Sequence, residues 1–353
     1  MASPSARGAQ DDAVATLRRI AFLLERAQAT SYRSDAFRVA ARTIAGTDPD
    51  RFHELAGAGR LRELPAVGER TASVVETRLR GEPVDYLDTL EAELSKSTAS
   101  EPAAALRAAL RGDLHAHTNA SDGNSPLPEM ALAAIDLGHD YLAITDHSPR
   151  LTIANGLTAA RLRAQLDQVA ALNAALLSAG TEFRVLTGIE VDILEDGSLD
   201  QDPELLAELD VVVASVHSLL RMESAPMTQR LLTALADPNT DVLGHCTGRQ
   251  LTGKLRPPST FDPEAVFSAC AEHGVAVEIN CRPDRLDPPH ALLERAVEAG
   301  CEFTIDTDAH APGQLDWQQV GCDRAAVHGL APGRVRNTLA REDLLDRHRR
   351  RHR

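Results

Sequence analysis

Seven short apolar stretches between residues 112 and 310 end in polar residues, and this repeat constrains the fold more than any other feature of the chain. They read GDLHAHT, YLAITDH, VLTGIE, VVVASVH, DVLGHC, VAVEIN and FTIDTDAH. Strand-like stretches that alternate with helical segments predict a parallel sheet. A barrel of parallel strands gathers all its carboxyl ends on one face. The sequence therefore predicts an α/β barrel whose site residues come from many strands.

Helical segments separate these stretches and define the organisation of the chain. Those predicted between the strands span residues 126–138, 158–179, 225–235, 262–273 and 289–299. Apolar residues at helical spacing predict a small all-helical unit over residues 11–95, followed by a linker and helix over residues 96–111. We expect residues 1–10 to be disordered and residues 112–345 to form the barrel. Residues 346–353 form a basic tail, which we expect to be solvated or, as the lesser alternative, to contact a phosphate backbone.

Residues that can bind metal ions are concentrated at the strand ends, where six of the 13 histidines lie. In a strand, residues i and i+2 point the same way, so His115 and His117 share a side, as do Asp308 and His310. Asp122 follows the first strand and leaves the same face. The predicted ligands are His115, His117, Asp122, His147, Glu190, His217, His245, Asp308 and His310. So many buried imidazoles and carboxylates would lack partners unless cations bridged them.

Nine ligands exceed the needs of one ion, and three divalent ions sharing a bridging carboxylate would use them all. A mixed nitrogen and oxygen set suits Zn, Mn or Fe and does not suit Mg or Ca. Closely spaced divalent ions favour phosphate ester hydrolysis by metal-bound hydroxide, with Glu190 and Asp308 as catalytic residues. Arginine forks suit phosphate oxygens. Arg249, four residues after His245, is a predicted catalytic and substrate-binding residue, and Arg282 and Arg285 are predicted substrate contacts.

The composition limits the partners and the location of the chain. Its net charge is −15, divided into −1 for residues 1–96 and −14 for the remainder. That balance argues against a protein that coats DNA along its whole surface. The five cysteines form no C-x-x-C pair, which is typical of reduced thiols. Since no apolar run approaches a membrane span, we expect a soluble cytoplasmic protein without a membrane partner.

The ordered motifs DLHAHT, SDG, TDHS, GIEVDI, SVHS, GH-TGR, EIN and DAH resemble the PHP (polymerase and histidinol phosphatase) domain family. They are most similar to the domain at the carboxyl terminus of bacterial family X DNA polymerases. This resemblance implies a distorted (β/α)7 barrel with three metals. It assigns the ligands as His115, His117, Glu190 and Asp308; Glu190, His217 and His245; and Asp122, His147 and His310. Cys246 departs from the family, since relatives often have proline there.

The helical unit resembles the 8-kDa-like domain of the same polymerases. Residues 64–72, LPAVGERTA, are similar to their helix-hairpin-helix, usually LPGIGKxxA. Such hairpins offer backbone N–H groups to a DNA phosphate. The implied DNA contacts are Ala66, Val67, Gly68 and Arg70. Ala66 replaces a glycine and Glu69 a lysine, so a hairpin kept only for packing stays an alternative.

Three functions follow as hypotheses. The first is a metal-dependent phosphoesterase of DNA repair, acting as a 3′-5′ exonuclease or 3′-end-processing enzyme on single-stranded or nicked DNA ends. The second is a small-molecule phosphomonoesterase such as a histidinol-phosphate phosphatase, which the acidic barrel favours. The third is a catalytically idle DNA-binding scaffold. The chain has no room for a polymerase palm and fingers, because only about 17 residues separate its two matched parts.

Overall fold

The computed structural model describes residues 4–94 and 99–351, and the side chains of residues 7–94 and 99–347. The chain divides into two compact units, Met1–Thr98 and Ala99–Arg353. Part of the predicted linker, residues 95–98, lies outside the described residues. Each unit has its own apolar core. No helix in the described residues is long and apolar enough to cross a membrane.

The first unit consists of helices packed around residues such as Leu17, Ile20 and Phe52. The helices are α1 (Pro4–Arg26), α2 (Ser31–Ala45), α3 (Pro49–Gly57), α4 (Glu69–Leu79) and α5 (Asp85–Leu94). The expected disorder of residues 1–10 is wrong from Pro4 onward, and residues 1–3 lie outside the described part. Buried Gln10 ties this helix to the segment that follows α2, since it donates through Nε2 to the carbonyl oxygens of Ile44 and Thr47, at 2.6 and 2.9 Å.

The second unit is a seven-stranded barrel of parallel strands paired in sequence order, which confirms the predicted fold class. The strands are β1 (Gly112–Asp113), β2 (Tyr141–Ile144), β3 (Arg184–Asp192), β4 (Val211–Ser215), β5 (Val242–Leu243), β6 (Ala276–Asn280) and β7 (Phe303–Asp306). The helices are α6 (Glu101–Ala109), α7 (Leu127–Asp136), α8 (Ala159–Ser178), α9 (Pro203–Leu206), α10 (Ser224–Leu235), α11 (Pro263–His273), α12 (His290–Glu298), α13 (Gln318–Val327) and α14 (Arg341–Arg351).

The carboxyl-terminal tail differs from the expectation of a separate segment beginning at residue 346. Helix α14 continues through Arg351. Two contacts anchor its first turns, since Leu344 is buried in the barrel core and Arg347 pairs with Glu302. The basic run is therefore largely part of a helix that packs on the barrel.

Side-chain amides hold much of the junction between β1 and β7. The backbone pairs there through a bridge between Ala116 and Ala309, and the His117 N–H donates to the Ala309 carbonyl at 2.8 Å. Lower in the barrel, fully buried Asn337 accepts from the Ile305 N–H at 2.8 Å. Its Nδ2 donates to the carbonyls of Gly112 and Ile305. One side chain thus replaces part of a strand ladder.

His139 lies just before β2, is 5% exposed and gives the barrel a testable pH dependence. Burial lowers its pKa from 6.5 to about 3, and the charge of Arg107 acts in the same direction. Below pH 6.5 His139 therefore binds a proton in the unfolded chain but stays neutral in the folded chain. The stability that comes from burying neutral His139 is lost as the pH falls from 6.5 towards 3. When the pH is lowered from 7 to 5, we expect the free energy of unfolding of His139→Gln to fall by about 2 kcal/mol less than that of the unsubstituted protein. Denaturant unfolding of both metal-free proteins checks this, and equal losses would contradict it.

Candidate metal centre

Glu190, at the end of β3, is the centre of a cluster of five imidazoles. Its carboxylate is 1% exposed. The imidazole nitrogens lie 3.3, 3.4, 2.9, 3.1 and 2.8 Å from its oxygens, and they belong to His115, His117, His147, His217 and His245. These histidines follow four other strands, β1, β2, β4 and β5. The barrel therefore brings together residues that are up to 130 positions apart in the chain, as from His115 to His245.

The remaining three of the nine predicted ligands extend this cluster towards solvent. His117 Nε2 lies 3.3 Å from Asp308, which is 2% exposed. The Asp122 side chain is 33% exposed, and its Oδ1 lies 3.3 Å from His310 and 3.6 Å from His147. Asp122 is therefore the outer member of a largely buried site.

Seven of the nine side chains form groups that differ from the three ligand sets implied by family resemblance. Ligand atoms lie within 4.8 Å of one another in three groups, which are His117, Asp122, His147 and His310; His115, His117 and Glu190; and His147, Glu190 and His217. The difference arises because an imidazole has two nitrogens. His147 directs Nδ1 to Glu190 and Nε2 to Asp122, so it lies between two groups. His117 likewise directs Nδ1 towards Asp122 and Nε2 towards Glu190.

The residues present are suited to hold divalent ions. Eight buried polar atoms of the cluster make no hydrogen bond in the described structure; they are His115 Nε2, both ring nitrogens of His117 and His217, Nδ1 of His147 and His245, and Glu190 Oε2. Such groups cost free energy when buried without a partner. A cation coordinated by imidazole and carboxylate would supply that partner. The donor set is nitrogen and oxygen, which borderline metals prefer.

The imidazoles around Glu190 differ in the direction in which their surroundings shift the pKa. Burial alone would lower the pKa of His115 and His147, but nearby carboxylates outweigh it. The pKa of His115 is well above its ordinary value because of Glu278 and Glu190, and that of His147 is raised to about 10. Burial and two neighbouring imidazoles lower the pKa of His117 to about 3. Burial would raise the pKa of Glu190, yet the surrounding imidazoles hold it well below its usual range. Glu190 therefore stays ionised, the form that binds a cation.

Two of the predicted substrate-binding arginines face Asp308. Arg282 Nη1 and Arg285 Nε lie 3.5 and 3.3 Å from its carboxylate oxygens. Burial would raise the pKa of Asp308, but the charge of Arg282 contributes most to holding it well below normal. The backbone of Asp308 has φ of 52°, a left-handed conformation that is uncommon outside glycine. The chain thus accepts local strain at this position.

Arg249, predicted as a catalytic and substrate-binding residue, has other partners. Its Nε donates to the Arg285 carbonyl at 2.8 Å, and its Nη2 donates to the Leu286 carbonyl. Two of its donors are therefore used by the loop after β6. This geometry favours support of that loop over the direct phosphate contact expected from its position after His245.

Sequence reasoning missed Glu278, the residue that connects three strand ends. It lies on β6, which supplies none of the predicted ligands, and it is fully buried. Its Oε1 accepts from His115 Nδ1 at 2.6 Å, which leaves His115 Nε2 directed at Glu190. Its Oε2 accepts from the His245 N–H at 2.6 Å and from Asn280 Nδ2 at 3.2 Å. Glu278 thus fixes the orientation of one predicted ligand and the backbone of another.

We expect Glu278→Gln to weaken metal binding by about 10- to 100-fold. An amide has only one acceptor oxygen, so it can replace the carboxylate in its contact with His115 or in its contact with His245, but not in both. The measurement is a zinc titration of the metal-free protein in competition with a chelator. Glu272→Gln, an exposed change on α11 in the same unit, is the control. Equal zinc affinity in both variants would show that Glu278 does not position the ligands.

Residues 64–68 of the first unit form the turn between a short helix, Leu61–Glu63, and α4. A surface cavity of about 440 Å³ includes the predicted DNA contacts Ala66, Val67, Gly68 and Arg70 in its lining. Tyr32, which the sequence reasoning did not single out, lines the same cavity and is 84% exposed. An exposed aromatic ring and an arginine in one cavity are a combination that suits a nucleic-acid strand.

Ala66, at the position where the resembling hairpins carry glycine, has φ of 59° and is therefore left-handed. A side chain with a Cβ is strained in this region by about 1–2 kcal/mol. We therefore expect Ala66→Gly to stabilise the first unit by about 1 kcal/mol, after the greater flexibility of glycine is subtracted. Denaturant unfolding measures the change, with Ala58→Gly, at a right-handed position, as the control expected to be neutral or destabilising.

Part of the chain is similar to a known domain family. A model of the PHP domain family matches residues 113–282. A DNA polymerase/3′-5′ exonuclease PolX of Bacillus subtilis is 40% identical over 235 residues, which are 67% of this chain and 40% of that protein. The chain therefore spans less than half the length of this relative.

Two further similarities involve phosphatases. A probable phosphatase of Edwardsiella ictaluri is 30% identical over 209 residues, covering 56% of this chain and 78% of that protein. A solved structure of histidinol phosphate phosphatase from Lactococcus lactis, complexed with zinc, L-histidinol and phosphate, is similar with a TM-score of 0.45 and 18% identity. That similarity covers 62% of this chain and 93% of the Lactococcus chain.

Proposed function

This chain belongs to the PHP domain family, and from that premise we propose that it is a metal-dependent phosphoesterase whose substrates are DNA ends. The observation that carries the hydrolytic part is the buried cluster of five imidazoles that share one carboxylate, that of Glu190, and most of whose ring nitrogens make no hydrogen bond in the described structure. A single carboxylate cannot satisfy the ring nitrogens of five buried imidazoles. Bound cations would satisfy them.

Three divalent ions, Zn, Mn or Fe, would be held by the nine side chains, with Glu190 shared between sets. When bound, such ions lower the pKa of water and neutralise charge on a phosphate. Glu190 and Asp308 are suited to this role because both stay ionised in the folded chain. His115 is oriented for binding by Glu278, which occupies its other nitrogen.

Arg282 and Arg285 would bind the phosphate of the substrate. Both are half-buried beside Asp308, and Arg282 also lies 3.0 Å from His310 Nδ1. Their guanidinium groups can hold two phosphate oxygens at once while their side chains stay fixed by the acidic neighbours. Arg249 supports the loop that carries Arg285.

Two observations favour DNA as the substrate. The Bacillus relative is named as a 3′-5′ exonuclease, and its similarity covers two thirds of this chain. The first unit has a cavity lined by the turn residues Ala66 to Gly68, by Arg70 and by the exposed ring of Tyr32. We propose that this hairpin holds the strand whose end is cleaved. The five free cysteines agree with the proposed cytoplasmic location of such a repair enzyme.

A small-molecule phosphomonoesterase is the second candidate, because the Edwardsiella relative named as a probable phosphatase is covered over most of its length. A histidinol-phosphate phosphatase would be an enzyme of this class. Such an enzyme needs the barrel cluster and has no use for the cavity of the first unit. A catalytically idle DNA-binding scaffold is the third candidate, and it would contain almost no bound metal.

The test is a panel of Mn, Zn and Fe with four substrates: 3′-labelled single-stranded DNA, nicked DNA, an oligonucleotide 3′-phosphate and histidinol phosphate. We expect shortening or dephosphorylation of DNA, and loss of both in Asp308→Asn. Turnover of histidinol phosphate with intact DNA ends would favour the second candidate. No turnover, together with near-zero metal by elemental analysis, would favour the third.

A further inference from the structure

A small hairpin, residues 250–256, projects from the barrel after β5. Gln250 and Arg256 exchange backbone hydrogen bonds of 2.9 and 3.0 Å, and Gly253 at the turn has φ of 66°. Loops that follow parallel strands lie on the face where the carboxyl ends meet. The hairpin therefore stands on the same face as the Glu190 cluster.

The hairpin is tied to the residues that contact Asp308. The Leu251 N–H donates to the Asp284 carbonyl at 2.7 Å. The Asp284 carboxylate pairs in turn with Arg282 at 3.2 Å, and Arg282 lies against Asp308. At the base of the hairpin, Arg256 Nε donates to the Gly248 carbonyl at 2.5 Å. These bonds fix the backbone of the hairpin relative to the cluster.

Although its backbone is fixed, the hairpin exposes large apolar side chains. Leu251 is 42% and Leu255 is 70% exposed. Ile153 after β2 and Leu219 after β4 are also exposed on loops of this face. In the described part of the barrel unit, these four account for most of the exposed large apolar side chains. An apolar group in water at a fixed position suits a partner that covers it.

Charge identifies the partner. Lys254, one of two lysines in the chain, lies between the two leucines, and Arg256 follows them. Arg282 and Arg285 lie on the next loop, where they pair with Asp284 and Asp308, so Lys254 and Arg256 add positive charge to this side of a barrel unit of strong net negative charge. Apolar side chains interleaved with cations match a nucleic-acid strand, in which flat bases alternate with phosphates.

We propose that the 250–256 hairpin holds the nucleotides next to the cleaved phosphate of a DNA end. Leu251 and Leu255 contact the bases, and Lys254 and Arg256 contact the adjoining phosphates. This inference rests on the proposed action on DNA ends. It adds the structural element by which the enzyme would distinguish a DNA strand from a small phosphate ester. A small ester reaches the metal cluster without touching the hairpin.

The test is the double variant Leu251→Ser/Leu255→Ser in the full chain with Mn. We expect binding of a fluorescein-labelled single-stranded oligonucleotide, measured by anisotropy, to weaken about tenfold or more, because two leucines lose their buried contact. Hydrolysis of p-nitrophenyl phosphate is expected to stay unchanged. Leu177→Ser is the matched control, since Leu177 is also 70% exposed but lies near the end of α8, on the opposite face of the barrel.

A second variant tests the charged part independently of folding. Lys254→Ala is expected to reduce the slope of log affinity against log salt by about 1, the contribution of one phosphate contact. DNA affinity and salt slope equal to those of the unsubstituted protein would overturn the inference while leaving the proposed function intact. An unsubstituted protein that hydrolyses p-nitrophenyl phosphate and ignores DNA would overturn both. A dimer in sedimentation that dissociates in the double variant would assign the hairpin to a second copy of the chain and overturn the inference.

Discussion

Glu190→Gln is expected to lower kcat/KM for any phosphate ester by about 10³- to 10⁵-fold, because the charge stabilisation from divalent ions amounts to several kcal/mol. Glu190 is the carboxylate that contacts five imidazoles, and it belongs to two of the three groups that could hold an ion. A glutamine keeps the volume but removes the negative charge and one acceptor oxygen. Metal content is therefore expected to fall together with activity.

The measurements are steady-state kinetics, elemental analysis and circular dichroism of the purified variant. Glu195→Gln, an exposed change a few residues further along the same chain segment, is the matched control. Turnover within tenfold of the unsubstituted protein at full metal content would refute the central role of Glu190. Lost activity with a normal spectrum would assign the defect to the site instead of the fold.

Asn337→Leu is expected to lower the free energy of unfolding by about 3–5 kcal/mol, because it removes several buried hydrogen bonds and leaves their partners unpaired. The lost bonds include the Ile305 N–H to Oδ1, at 2.8 Å, and Nδ2 to Asp306 Oδ1, at 2.7 Å. The leucine has similar volume, so packing changes little. The measured loss of stability therefore reflects almost entirely the lost hydrogen bonds.

Denaturant unfolding of the metal-free protein measures this change. The control is Gln319→Leu. Gln319 is half-exposed, and among the described contacts its side chain bonds only Asp323. A loss below about 1 kcal/mol at Asn337 would mean that the β1–β7 junction does not depend on its side chain. Because His115 and His117 follow β1, we also expect weaker zinc binding in Asn337→Leu.

The sequence predicts the features that follow from the alternation of strands and helices. It does not predict the contacts that depend on how neighbouring strands and loops are aligned. The seven strands and the convergence of residues such as His115, Glu190 and His245 could be predicted, because parallel strands end on one face. The role of Glu278 could not, since it depends on which atoms of β1 and β5 lie opposite β6. The partners of Arg249 depend on the path of the loop after β6.

Other differences arise from contacts between distant segments. Helix α1 includes residues before 10, and Gln10 ties it to carbonyl oxygens near the end of α2, a contact that the local sequence does not reveal. The grouping of ligands differs from the family pattern because each imidazole offers two nitrogens, and the spacing of histidines in the chain does not say which nitrogen faces Glu190. The left-handed backbone at Ala66, by contrast, agrees with the glycine that the resembling hairpins carry there.

The junction of β1 and β7 also determines when during folding the set of nine predicted ligands can be complete. Leu114 and Asp306, which share a hydrogen bond of 2.8 Å across it, are 192 positions apart in the chain. Closing so long a loop has a high entropic cost and slows folding when native contacts depend on it. His117 and Asp308 meet only after this closure. The Glu190 cluster itself uses residues that follow β1 to β5, whereas the outer ligands Asp308 and His310 follow β7, so a nascent chain cannot complete the set of nine before its last strand has been synthesised.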